Sequence, residues 1–413
     1  MNSDTLDLTR GSVPLCLIRF SFPLLLANLL QSFYSMADLL VVGRFVGETG
    51  LAAVSSASTL CFLLNAVCMG FSAGGTVLTA RARGAGDRLE EEEAAAALLL
   101  LALAGSALLT AAALLCYRPL FTLMALPSQA MGDACGYMAI LCWGTPFVFG
   151  YNAVCAILKG RGDSRGPLRF VAAAAVVNLL LDLILAGPCG LGTAGTAWAT
   201  VAAQGVSFLL SLAHLHRCVP LSLRRLPLRP AALLSLLRLG LPSAVQIAVV
   251  NLSYLILTGL LNPFGVSVAA AAGIGLKVST FAGMPCWALG YGVTAMVGQN
   301  LGAGDPDRVR QTVRSGLLLS LGATALLTAL VQLAAAPIIA LFEPENAAVT
   351  AEGVRYLRIC CSVNGLIYAA MYVFDSFAIG SGASWVAMCN AMLDAALLRL
   401  CEHAEHLVRI ADP

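Results

Sequence analysis

Ten stretches of mostly apolar residues, each about as long as a bilayer is thick, decide most of what this chain can become. They lie at roughly 15–42, 52–80, 94–117, 132–158, 168–187, 192–213, 239–262, 267–297, 315–340 and 353–379. Lipid offers no water to satisfy backbone N–H and C=O groups, so a spanning run of about 20 apolar residues has to be a helix. The chain is 59% hydrophobic and only 11% charged, against about 25% charged in a soluble domain. The expected fold class is therefore an all-α polytopic membrane protein. An eleventh stretch, 385–400, carries Asp394 and Arg399 and makes a poor span.

Several function classes drop out on composition. A net charge of +2 supplies no electrostatic footprint for nucleic acid. The 14 cysteines lie mostly inside apolar runs without CxxC pairs, which suits buried small hydrophobes better than disulfides or zinc ligands. His214, His216, His403 and His406 fall near loops or the tail, with no metal spacing inside a span. The polar start MNSDTLDLTRGSVP, followed by a long apolar run, does not resemble a cleavable signal peptide.

Arginine and lysine orient the spans. One set of loops, with Arg10 and Arg19, holds 17 basic residues, whereas the opposite loops hold Arg44, Arg118, Arg355 and Arg358. The positive-inside rule then predicts a cytoplasmic N-terminus. Residues 1–13 form a cytoplasmic tail, 14–213 an N-terminal lobe, 214–238 a basic linker and 239–413 a C-terminal lobe. The lobes repeat. GAGD occurs at 84–87 and 302–305, and the same offset of 218 relates Gly74 to Gly292, Thr76 to Thr294 and Pro119 to Pro337. Tyr137 matches Tyr356 and Cys142 matches Cys361 at 219; Gly160 and Gly162 match Gly380 and Gly382 at 220. Both copies start on the same side, so they are parallel repeats about an axis along the membrane normal. On this register the second copy stops near the start of its sixth span. A C-terminally incomplete second lobe, short of about one to two helices, is the expectation.

Of 22 acidic residues only Asp38, Asp182 and Asp375 sit inside strong spans away from their extreme ends, where Asp133 lies, and Lys277 is the one basic residue deep in one. A charge at mid-bilayer costs at least about 2.5–3.5 kcal/mol and needs a protein-lined or watery cavity. Asn178 and Asp182 stand at i and i+4 on one helix face. Asp38 and Thr200 fall at similar depth in the outer half of the membrane. Two carboxylates, a carboxamide and a hydroxyl at one level suit a sodium ion, or two carboxyls sharing a proton. Helix gluing is the plainer alternative. Asp375 and Lys277 are a possible second, C-terminal cluster, although Lys277 can also snorkel and Asp375 lies near a span end. Pro23, Pro146, Pro242 and Pro285 interrupt spans and permit kinks; Pro23 precedes Asp38 on the same helix.

These residues resemble the multidrug and toxic compound extrusion (MATE) transporters. The resemblance covers about 14–385 and rests on SFYSMADLLVVGRFVG (32–47), GAGD after spans two and eight, ILKGRGDSR (157–165) and NLLLDLILAGPCGLGTAGTAWAT (178–200). It implies two parallel six-helix lobes around a central cleft, and a monomer of the bacterial cytoplasmic membrane. It also implies export of small amphipathic, often cationic, compounds in exchange for protons or sodium by alternating access, with no cofactor and no enzymatic step. The family's N-lobe cation site maps onto Asp38, Asn178, Asp182 and Thr200, its substrate and proton network onto Gln31, Tyr34, Tyr137 and Asn152, and its hinge onto Pro23. Span seven carries Gln246 and Asn251 but no acid, which favours the N-lobe as coupling centre. Alternatives are a lipid-linked-precursor flippase of the same superfamily, disfavoured by the single cation inside spans, and an inactive fragment. An intramembrane aspartyl protease is disfavoured because both GAGD motifs lie in loops.

Overall fold

The computed structural model describes residues 5–124, 126–219, 229–261, 266–340 and 347–396, without the side chains of 254–261, 266–270 and 347–348. Among these residues every regular element is a helix: α1 (Val13–Phe45), α2 (Glu48–Ala85), α3 (Arg88–Leu123), α4 (Ser128–Gly160), α5 (Arg165–Ala186), α6 (Gly192–Cys218), α7 (Pro230–Leu261), α8 (Val266–Gly302), α9 (Pro306–Ala340), α10 (Ala347–Cys360), α11 (Val363–Gly380) and α12, 384–396. Nine described helices are long and apolar enough to cross a membrane.

Most helices outrun the apolar spans from which they were inferred, because their polar ends keep helical hydrogen bonding beyond the hydrocarbon. The linker expected at 214–238 shortens accordingly: α6 runs to Cys218 and α7 starts at Pro230. Helix starts follow local chemistry. Asp87 caps α3 by accepting from the backbone N–H groups of Leu89 and Glu90, and GAGD turns the chain through Gly86 and Gly304, both at positive φ.

The tenth span is not one helix. It breaks at Cys361–Ser362 into α10 and α11. A break at membrane depth frees carbonyls that must find protein donors. Gln332 of α9 supplies them, its Nε2 donating to the Cys361 carbonyl at 2.6 Å and the Arg358 carbonyl at 3.0 Å. Counting α10 and α11 as one span, the second half has four described spans and the short helix α12, to the first half's six. The helix missing among the described residues is the counterpart of α6. On α11 Ile367 and Phe374 are 61% and 53% exposed, whereas their repeat mates on α4 are Phe147, packed against Phe208 of α6, and Val154, 0% exposed.

The duplication is realised in side-chain bonds. Thr76 Oγ1 of α2 donates to the Ala156 carbonyl of α4 at 3.2 Å, and its mate Thr294 Oγ1 of α8 donates to the Ser376 carbonyl of α11 at 3.0 Å. Gly160 and Gly380 are mates too. A Cβ on either would meet the carbonyl oxygen of that threonine, at 2.7 and 2.8 Å.

Four apolar cores show where the halves meet. One joins α2, α3, α4 and α6 to Leu236 of α7; another joins Leu17, Phe20 and Leu24 of α1 to Ala288, Val293 and Met296 of α8. Both lie toward the arginine-rich end. At the opposite end the core around Ala53, Phe121 and Met138 draws only on the first half, and that around Val331, Ile339 and Leu357 only on the second. Among the described residues the halves therefore share cores at the arginine-rich end and hold separate cores at the other. Residues 5–12, expected as a tail, are packed at the arginine-rich end. Leu8 is fully buried, Leu6 N–H donates to the Gly162 carbonyl, and Arg308 donates to the carbonyls of Leu8, Arg10 and Gly11.

Candidate functional site

Helices α1, α4, α5 and α6 converge in the first lobe, in the half away from the arginine-rich end. The i, i+4 spacing of Asn178 and Asp182 turns both inward from α5, where they are 1% and 0% exposed. Asp38 of α1 stands opposite, half-buried, and the two carboxyl groups are within reach of a shared hydrogen bond. Among the described residues no protein group bonds to either Asp182 oxygen, to either end of the Asn178 amide, or to Asp38 Oδ1. The two facts agree, because facing carboxylates cannot bond until one carries a proton.

Around this pair lies a polar shell. Tyr137 of α4, buried, is within hydrogen-bonding reach of Thr200 and faces both acids. Thr200 Oγ1 donates to the Thr196 carbonyl at 3.0 Å, leaving its oxygen lone pairs for another ligand. Tyr34 lies in reach of Gln31, Ser35 and Gln204, with Asp38 nearby. The predicted set of Asp38, Asn178, Asp182, Thr200, Tyr34, Gln31 and Tyr137 is thus brought into one neighbourhood. Asn152 is not bound into it: its Nδ2 donates to the Val148 carbonyl of its own helix, and its neighbour Tyr151 faces Tyr34 instead. Gln204 and Tyr151 escaped the sequence reading. Gln204 had a usable signal, since it follows Thr200 by one helical turn. Pro23 is buried inside α1, which runs through it unbroken.

The second predicted cluster does not form. Lys277 is exposed and makes no ion pair with Asp375 among the described residues. Asp375 of α11 instead accepts from Gln246 Nε2 of α7 at 3.2 Å and Asn390 Nδ2 of α12 at 3.0 Å. Two amides satisfy the carboxylate without a cation, which explains how it stays buried without Lys277. Asn390 lay in the stretch discounted as a span.

Chemically, the N-lobe cluster offers two carboxylates, a carboxamide oxygen and hydroxyls, all hard oxygen donors suited to a small hard cation. The same carboxyl pair can hold a proton between them. An orphaned buried polar group costs about 1–3 kcal/mol, a cost that water or a bound ligand offsets.

A family model described as MatE matches residues 23–184 and 242–401. The chain belongs to the MatE family. Members of this family are transporters and not enzymes, and this MatE protein is accordingly a multi-pass membrane transporter. It is similar to the probable multidrug resistance protein YoeA of Bacillus subtilis, 31% identical over 337 residues that cover 79% of this chain and 73% of that one. It is similar also to the probable multidrug resistance protein YpnP of the same organism, 29% identical over 305 residues, covering 73% and 68%. Among solved structures, the outward-facing conformation of a multidrug resistance MATE family transporter superposes with a TM-score of 0.88 over 95% of this chain and 88% of that one. At 21% identity that likeness shows the fold alone.

Proposed function

We propose that this MatE protein exports small amphipathic, often cationic, compounds in exchange for protons or sodium, with Asp38, Asn178, Asp182 and Thr200 as the coupling site. One observation carries the reading: Asn178 and Asp182 are buried beside Asp38, and among the described residues no protein group satisfies them. The names of the curated relatives supply the substrate class. No reported relative is named as a flippase of lipid-linked precursors, and that alternative gains no support.

The cycle follows from charge. Ionised and empty, the acid pair favours a cationic substrate in the cleft. An incoming proton or sodium ion neutralises it, removes the attraction and releases substrate outward. Tyr34, Gln31 and Tyr137 line the approach, and Asn152 completes the substrate set from farther along α4. Repacking of α1 about Pro23 transmits the change in charge. Coupling needs only that ion and substrate favour different states. With 17 basic residues on one side, the N-terminus is cytoplasmic, the closed end faces the cytoplasm and the state seen is outward-facing. The protein works as a monomer in the bacterial cytoplasmic membrane and needs no cofactor. Accumulation of a fluorescent cationic dye in efflux-deficient bacteria tests this. The wild-type chain should lower dye relative to empty vector, and Asp182→Asn at equal membrane expression should not. Equal dye in all three strains defeats the proposal.

A further inference from the structure

The cytoplasmic closure contains a pair of cross-lobe hydrogen bonds related by the repeat. Arg81, on α2 of the first half, donates its Nη2 to the Ser381 carbonyl at the end of α11 in the second half. Gln299, on α8 of the second half, donates its Nε2 to the Gly160 carbonyl at the end of α4 in the first, at 2.7 Å. Arg81 and Gln299 are repeat mates, 218 residues apart. Their acceptors sit at the ends of the mated helices α4 and α11. Each half thus reaches across the molecular axis and grips the same place on the other.

The backbones beneath are mated as well. Gly84 and Gly302 share the 218 offset. A Cβ on Gly84 would fall 2.7 Å from the carbonyl carbon of Gln299, and one on Gly302 would fall 2.9 Å from that of Arg81. Between them Ala80 faces its own mate Gly298. Only glycine allows α2 and α8 to approach this closely, and the approach puts each donor in reach of the opposite lobe. The two GAGD motifs, which contain Gly84 and Gly302, therefore have a second use besides turning the chain.

We propose that Arg81 and Gln299 form a reciprocal clasp, two positioning residues that set the balance between the outward-facing state and its inward-facing alternative. The chemistry suits a reversible latch. Both acceptors are carbonyls at helix C-termini, which lack partners within their own helices. When the lobes part, water can take over both carbonyls and both donors, so breaking the clasp leaves nothing buried and unsatisfied. Each bond then contributes only its net value, roughly a fivefold bias in the ratio of states, and the pair about 25-fold. A stronger lock would stall a carrier that must alternate; no lock would leave both ends free to leak. This role deepens the transport reading and rests on it for its purpose, but the clasp is measurable without transport.

The test is a distance measurement across the closed end. Spin-labelled noncanonical residues replace exposed Arg88 of the first half and exposed Asp307 of the second, which avoids the native cysteines. Pulsed electron resonance on the full chain in nanodiscs reads the populations. The wild-type background should give mainly one short distance. Arg81→Met and Gln299→Leu should each raise the longer-distance population about fivefold, and the double variant more. Arg81→Gln, which copies the mate residue, should restore the short distance. Gly84→Ala and Gly302→Ala, which wedge the same crossing from the backbone, should open it without touching either donor. Unchanged distances in Arg81→Met, Gln299→Leu and Gly84→Ala overturn the proposal, as does full opening by Arg81→Gln. If the variants show these shifts while the wild-type chain exports no dye, the clasp stands and the drug-export reading is lost instead.

Discussion

Asp182→Asn isolates the charge on which the transport reading depends. The substitution keeps the shape of a side chain that is 0% exposed and removes both its charge and its ability to titrate. Two unit charges at hydrogen-bonding separation repel by about 4 kcal/mol at an effective dielectric of 20. Asp38 and Asp182 stand in such a relation, with no protein donor on either Asp182 oxygen. The empty, doubly ionised pair is therefore held about three orders of magnitude above the same site with one charge compensated. In the proposed cycle that difference is the energy by which an incoming cation drives transport. An asparagine abolishes it, because the site then carries the same charge at 182 whether or not an ion has arrived. Efflux should fall to the vector level. The fold should survive, since a neutral buried amide costs no more than the acid it replaces; the thermal midpoint in detergent should stay within a few degrees or rise. The assay is dye efflux from energised cells at matched membrane expression, with Glu48→Gln, an exposed acid at the start of α2, as control. Retention of more than half of wild-type efflux by Asp182→Asn would refute the reasoning, whatever the control does.

Three further outcomes are expected. Thr76→Val and Thr294→Val each remove an equivalent interhelical hydrogen bond within a lobe, so each should cost about 1 kcal/mol of stability and their effects should add in the double variant; Thr79→Val, at a hydroxyl with no protein partner among the described residues, should cost nothing or stabilise, and thermal unfolding of wild type, the three single variants and the double variant checks this. Sodium coupling predicts a higher midpoint in sodium chloride than in choline chloride, about 1.4 kcal/mol at ten times the dissociation constant, erased by Asn178→Ala; identical midpoints would assign coupling to protons. Asp87→Ala removes the cap of α3 and should cost about 1 kcal/mol without altering dye efflux per folded molecule.

Much of the candidate site was legible because helical periodicity is local. Asn178 and Asp182 share a face by spacing alone, and a carboxylate in an apolar run needs a reason to be there. Depth could be counted along each span, which put Asp38, Asp182 and Thr200 at one level. Gln204 and Tyr151 were missed for the complementary reason: a polar side chain near others along a helix shows its function only when the neighbouring helix is in place. The pairing of Lys277 with Asp375 failed on the same ground. Both lie inside spans, yet their helices turn them apart, and Asp375 takes its donors from Gln246 and Asn390.

The sequence by itself determined the membrane character, the helical class, the parallel duplication and the family, because each rests on composition, local periodicity or repeated motifs. A bilayer admits no other backbone for such apolar runs, so little remained for packing to choose. Tertiary structure decided the azimuths. It chose which residues of α1, α4, α5 and α6 meet. It broke the tenth span at Cys361–Ser362, where Gln332 from another helix could satisfy the freed carbonyls. It also placed Arg81 and Gln299 across the axis from their acceptors. The offset of 218 made them mates in the chain, but only the close crossing of α2 and α8 brings each within reach of the opposite lobe, because contacts between distant segments depend on how helices rotate and pack and not on the pattern within either one.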